Sequence, residues 1–331
     1  LKRVLGWIVK GLLGLLATLL LGVFGLVLVM ERKTYEPPAV AVKASTDPEL
    51  IARGRYLALG PAHCVACHSD QAAYQSAGPD EEVPLSGGNE FHLPLGTIRA
   101  PNLTSDPETG IGAVDDERLA RALRHGVDRS GRVLFPIMSF AELSDEDLAA
   151  IISYLRTQPP VKHAVNTREY NALGRLVSAM AFRPTTPAST PPVRVPQGAT
   201  AENGAYLVDS VASCTGCHTE RDRASGQFIG PRLAGGFKFE SHARQGVVFV
   251  SPNLTPDEKT GRLFLWTEDT FVARMKAGAG PEGSPMPWKA FARMSEDDLR
   301  AIYRQLKAAT PVERDNGPTI IEPPAAAQAS R

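Results

Sequence analysis

The sequence predicts an all-α protein of two tandem domains behind an N-terminal transmembrane helix. Three observations predict it: an uncharged run from Gly11 to Met30, a self-similarity at offsets of 148 to 151 residues, and a Ser-led apolar helical pattern that closes each copy.

Residues 1–33 are the expected anchor. As a helix, GLLGLLATLLLGVFGLVLVM would be about 30 Å long, enough to cross the hydrocarbon core of a bilayer. A cleavable signal peptide has a shorter apolar region followed promptly by a small-x-small site. The nearest such site here, Ala39-Val40-Ala41, lies beyond Glu31-Arg32-Lys33 and Pro37-Pro38, so a retained single-pass span is expected. Lys2, Arg3 and Lys10 before the run and Arg32 and Lys33 after it give only a weak positive-inside signal.

The two copies span residues 47–160 and 201–312. Gly54-Arg55-Tyr56-Leu57 answers to Gly204-Ala205-Tyr206-Leu207, and Leu85-Ser86-Gly87-Gly88 to Leu233-Ala234-Gly235-Gly236. Pro101-Asn102-Leu103-Thr104 matches Pro252-Asn253-Leu254-Thr255, each before an acidic turn ending in Thr-Gly. Ser144-Asp145-Glu146-Asp147-Leu148 matches Ser295-Glu296-Asp297-Asp298-Leu299. Both of these last segments read as helices, with a hydroxyl N-cap, acids in the first turn and apolar residues at helical spacing, Leu148, Ile151, Ile152 and Leu155 in the first copy. Helices are also expected from about Pro48 to Leu59 and from Glu202 to Val211. Residues 161–200 are expected to be a linker, basic and then Pro-rich, with a short helical stretch around Tyr170 to Ala181 that has no assigned role. Residues 313–331 are expected to be a disordered tail.

All four cysteines sit in two identical patterns, Cys64-Val65-Ala66-Cys67-His68 and Cys214-Thr215-Gly216-Cys217-His218. A zinc site would want further ligands close by, and a thioredoxin-like pair needs no following histidine. Covalent c-type haem attachment uses every residue: the thiols form thioethers to the vinyl groups of one haem, and the adjacent imidazole becomes the proximal iron ligand. Two covalently bound haem c groups are therefore expected. Such haem is attached outside the cytoplasmic membrane, so both copies are placed on the periplasmic side of the inner membrane.

An electron-transfer haem generally takes a second axial ligand. Met138 is the only methionine of the first copy, and Met286, after a Gly-rich loop and a proline, occupies the corresponding place in the second. These two are the expected distal ligands. Core packing is the alternative for each, and Met294 is read as core. His125 is the rival ligand in the first copy and His242 a weaker one in the second. His63, His92 and His163 read as surface or propionate-side residues.

The formal net charge is zero, yet residues 47–160 carry nine Lys and Arg against seventeen Asp and Glu, a net of −8. Plain solubility explains that charge equally with an acidic docking face for a basic partner. No nucleic-acid partner is expected.

With these motifs on the page, the chain resembles the class I cytochrome c domains in cytochrome subunits of bacterial membrane-bound dehydrogenases, such as those for alcohols, aldehydes and gluconate. The resemblance covers about residues 47–160 and 200–312. It implies proximal histidines at His68 and His218, distal methionines at Met138 and Met286, and a haem-edge loop role for Asn102 and Asn253, for which a plain Asx-turn is the alternative. Those subunits commonly carry three such domains, and this chain has two. The family's Met-Pro-Tyr is kept in part at Met286-Pro287-Trp288 and departs at Met138-Ser139-Phe140. The function implied is single-electron transfer by a membrane-tethered dihaem cytochrome. Its donor would be a membrane-bound dehydrogenase or quinol-oxidising respiratory complex, and its acceptor a cytochrome or terminal oxidase. A dihaem peroxidase or thiosulfate-oxidising enzyme, or a dihaem subunit of a haem-copper oxidase, are the alternatives.

Overall fold

A computed structural model describes residues 2–138, 140–222, 226–241 and 243–323. Helix α1 (Lys2–Glu31) carries the apolar run, with large apolar side chains such as Leu12, Leu16 and Phe24 exposed. Its Lys2–Val27 segment, with mean hydropathy 2.1, is long and apolar enough to cross a membrane.

The first lobe comprises α2 (Pro48–Leu59), α3 (Cys64–His68), α4 (Gln71–Ser76), β1 (Glu90–Leu93), β2 (Gly96–Arg99), α5 (Asp116–His125), α6 (Asp145–Arg156), β3 (Arg168–Tyr170) and α7 (Ala172–Ala181). The second comprises α8 (Ala201–Tyr206), α9 (Cys214–His218), β4 (Lys238–Glu240), β5 (Val248–Val250), α10 (Glu268–Lys276), α11 (Trp288–Phe291), α12 (Glu296–Lys307) and β6 (Ile320–Ile321). The expected helix from Glu202 to Val211 is α8 continued by a π turn over Leu207–Val211.

Local chemistry explains the main helices. Asp47 caps α2 by accepting from the Glu49 N–H, with Pro48 in the first turn, where a missing N–H costs no helical bond. Ser144 and Ser295 accept from the N–H groups of Asp147 and Asp298, and three acids follow each in the first turn. The leading and closing helices of each lobe cross at a glycine. A Cβ on Gly54 would meet the Ala150 carbonyl oxygen at 1.8 Å, and one on Gly204 the Ala301 carbonyl oxygen at 2.3 Å. Close approach of backbones is thus the physical content of the repeated Gly-x-Tyr-Leu. Leu57, Leu148, Ile151 and Ile152 in the first lobe and Leu207, Leu299, Ile302 and Leu306 in the second are fully or almost fully buried. Each such side chain contributes about 1.5–3 kcal/mol relative to exposure.

The all-α expectation is corrected by two three-stranded antiparallel sheets, β1-β2-β3 and β4-β5-β6. Their strands are two to four residues long, too short to show a period-2 pattern. Each sheet takes its last strand from the segment after the lobe's closing helix, so residues 168–170 belong with the first lobe rather than to a free linker. The expectation of a disordered tail from residue 313 is likewise corrected through residue 323. Ile320 and Ile321 pair with Phe249 and Val248, while Arg314 bonds Glu220 and Asn316 donates to the Ala234 carbonyl at 2.8 Å. Residues 324–331 lie outside the described residues. The Pro-rich connection is also laid down on the first lobe, with the Pro192 and Val193 carbonyls accepting from the N–H groups of Asp145 and Glu146 at the start of α6, each at 3.0 Å.

The lobes meet through reciprocal contacts. Tyr206 of α8 donates to Asp147 of α6 at 2.9 Å and accepts from the Ser144 N–H at 3.0 Å. In the opposite sense, Tyr56 of α2 bonds Asp298 of α12 and accepts from the Ser295 N–H at 3.1 Å. Lys289 of α11 caps the end of α4 through the carbonyls of Tyr74, Gln75 and Ala77 at 2.7–2.9 Å.

Candidate haem-attachment sites

Helices α3 and α9 are single turns entered through a left-handed residue, His63 (φ 42°) and Ser213 (φ 49°). On such a turn, positions i and i+3 share a face, so Cys64 lies above Cys67 and Cys214 above Cys217. None of the four cysteines is in a disulfide. Burial pushes the thiols of Cys64 and Cys214 up to about 12. The Cys67 thiol is pushed up to about 11, by burial first and by Cys217 second.

The histidines are oriented alike. Nδ1 of His68 lies 2.9 Å from the Pro101 carbonyl oxygen and Nδ1 of His218 lies 3.1 Å from that of Pro252. A ring nitrogen facing a carbonyl carries the proton, which leaves Nε2 with a free lone pair, the arrangement that a metal-ligating imidazole requires. Burial lowers the pKa of both rings, which favours the neutral, ligating form.

Asn102 and Asn253 hold the loops that present those carbonyls. Asn102 Oδ1 accepts from the Thr104 N–H at 2.9 Å and from its hydroxyl at 2.7 Å, while Nδ2 donates to the Val161 carbonyl at 2.8 Å. Asn253 makes the same bonds to Thr255 and Val312 at the same distances. This is an Asx-turn with an added clamp on the chain leaving the closing helix. The sequence pattern gave the asparagines a role but gave none to the prolines preceding them, whose carbonyls carry the contact to histidine.

Met138 and Met286 are both partly buried and packed against the core, whereas Met294 is fully buried, as a core residue should be. Ser139 and His242 lie outside the described residues. His125 is buried, with Nδ1 2.8 Å from the Thr185 carbonyl oxygen. His63, expected as a surface or propionate-side residue, packs edge-on against Phe291 of the other lobe with ring centroids 5.6 Å apart. Among the described residues, no group of three or more His, Cys, Asp and Glu is placed to hold a metal ion.

Paired thiols on one helical turn, beside an imidazole with Nδ1 engaged and Nε2 available, fit a covalently attached haem. The comparisons agree: residues 51–159 match the cytochrome c family model, and the first lobe is a cytochrome c domain. Most of the chain is similar to cytochrome subunits. It is 31% identical over 306 residues to the cytochrome c subunit of the quinone alcohol dehydrogenase of Gluconacetobacter polyoxogenes, covering 86% of this chain and 61% of that protein. It is 30% identical over 282 residues to the gluconate 2-dehydrogenase cytochrome c subunit of Pantoea cypripedii, covering 78% and 59%. To a diheme c-type cytochrome of Cereibacter sphaeroides it is 27% identical over 282 residues, covering 81% and 91%. The chain thus spans about three-fifths of the length of the two dehydrogenase subunits.

Proposed function

We propose that this chain is a membrane-tethered dihaem cytochrome c, two class I domains held on the periplasmic face by α1. It takes single electrons from a dehydrogenase or quinol-oxidising complex and delivers them to a cytochrome or terminal oxidase. The observation that carries this reading is the repetition of one site in both lobes, two thiols and an oriented imidazole with a partly buried methionine at corresponding positions.

His68 and His218 would hold the haem iron through Nε2, and Met138 and Met286 would supply its second protein ligands. Bound haem supplies the one-electron chemistry. The protein's part is to fix imidazole orientation through the Pro101 and Pro252 carbonyls and to hold the two lobes together. The reciprocal tyrosine bonds keep the lobes in register, so an electron entering one lobe can leave from the other. Dehydrogenase subunits among the similar proteins support a dehydrogenase as donor.

Purification from the native membrane in mild detergent tests the proposal. A dehydrogenase should co-purify, and its substrate should reduce both haems. Haems that stay oxidised while the co-purified enzyme turns over would overturn the donor assignment.

A further inference from the structure

Helix α7, with no role in either haem site, packs alongside α1. Its Gly174 and Ala179 are buried, while Leu173 (53%) and Met180 (61%) are exposed and, seven residues apart, share one face. Beside it lies a cavity of about 490 Å³ whose lining includes Met30 at the outer end of α1 and Phe182 just past α7. Lys33, Arg132, Arg168 and Arg175 also line it, and among the described residues Glu169 is the one carboxylate that does. That carboxylate is engaged by Arg99 at 2.7 Å, and Arg168 is paired with Asp128. The cavity therefore presents a cationic, aromatic-edged lining in a lobe whose charge is otherwise acidic.

Position identifies the occupant. A cavity that begins at the last turn of a bilayer-spanning helix lies at the level of the outer-leaflet headgroups, where basic side chains attract anionic lipids and amphipathic helices bury their apolar faces. We infer that this cavity binds the headgroup of an anionic phospholipid and that α7 lies in the bilayer surface beside it, Leu173 and Met180 toward the acyl chains. The inference rests on the reading of α1 as a span. It gives the first lobe a second point of attachment, which restrains its rotation about the anchor and sets which face meets a membrane-bound partner.

Hydrogen-exchange mass spectrometry tests this on the full haem-loaded chain in nanodiscs of phosphatidylcholine, alone or with one-third phosphatidylglycerol. Exchange across residues 172–182 should slow by about threefold or more when phosphatidylglycerol is present, and Lys33→Gln with Arg132→Gln should remove that difference, each lost charge weakening lipid binding on the order of fivefold. In detergent, dihexanoyl-phosphatidylglycerol should protect the same segment and inorganic phosphate should not. Equal exchange in both nanodiscs overturns the inference, and protection by phosphate alone makes the cavity a free-anion site. The anchor reading has its own readout: release by a high-salt wash without detergent would show that α1 does not span the membrane, whatever α7 does.

Discussion

The Tyr206 hydroxyl donates to Asp147 of the other lobe at 2.9 Å, and the same relationship runs in reverse between Tyr56 and Asp298. Each tyrosine also accepts from the N–H of the serine that caps the opposite closing helix. Tyr206→Phe leaves a buried carboxylate short of a donor and a buried N–H short of an acceptor, a loss of about 1–3 kcal/mol. The denaturant midpoint, followed by haem absorbance, should fall accordingly. A variant that melts with the wild type would show that the junction adds no stability.

Alkaline pH probes the same bonds. Burial, reinforced by the charge of Asp147, raises the pKa of Tyr206 well above its ordinary value of 10, and burial with Asp298 does the same for Tyr56. The folded form keeps these protons where the unfolded chain releases them. The stabilisation is therefore complete below about pH 10 and declines as pH rises toward the folded-state values. Stability measured by denaturant from pH 9 to 11 should drop, and more gently in the Tyr56→Phe, Tyr206→Phe double variant. Parallel curves for the two proteins would remove the tyrosines from the account.

Asn102→Ala should release the clamp on Val161 and loosen the Pro101 carbonyl that orients His68. The expected outcome is about 1–3 kcal/mol of destabilisation together with a changed ferric spectrum in the first haem alone. Asn253→Ala should repeat this in the second. Lost stability with an untouched spectrum would confine the asparagines to a turn-forming role.

Haem content follows from the cysteines. A pyridine haemochrome assay on acid-acetone-extracted protein should give two haems per chain, and Cys64→Ala with Cys67→Ala should give one. A wild-type value near one, or haem passing into the solvent, would sink the assignment.

The paired elements of the junction were legible as sequence: Tyr56 and Tyr206 fall in one repeat, Asp147 and Asp298 in another. Their cross-pairing was not, because a repeat locates equivalent residues and carries no information on which lobe they face. Helix α6 was legible from the Ser144 cap and the spacing of Leu148, Ile151 and Ile152. Strands β3 and β6 were not, being two or three residues long and held by partners some 70 positions away in the chain, such as Val248 for Ile321. The site histidines announced themselves by adjacency to cysteine. The Pro101 and Pro252 carbonyls that orient them are backbone groups, and no side-chain pattern marks a backbone acceptor.

Whether Met138 and Met286 would ligate iron separates an electron carrier from an enzyme with an open iron. Carbon monoxide titration of the reduced wild-type protein measures this directly. No stoichiometric binding is expected at either haem, with Met138→Ala opening the first haem only and Met286→Ala the second. One equivalent of carbon monoxide bound by the wild-type protein would contradict it and make a peroxidase-like reaction the better reading.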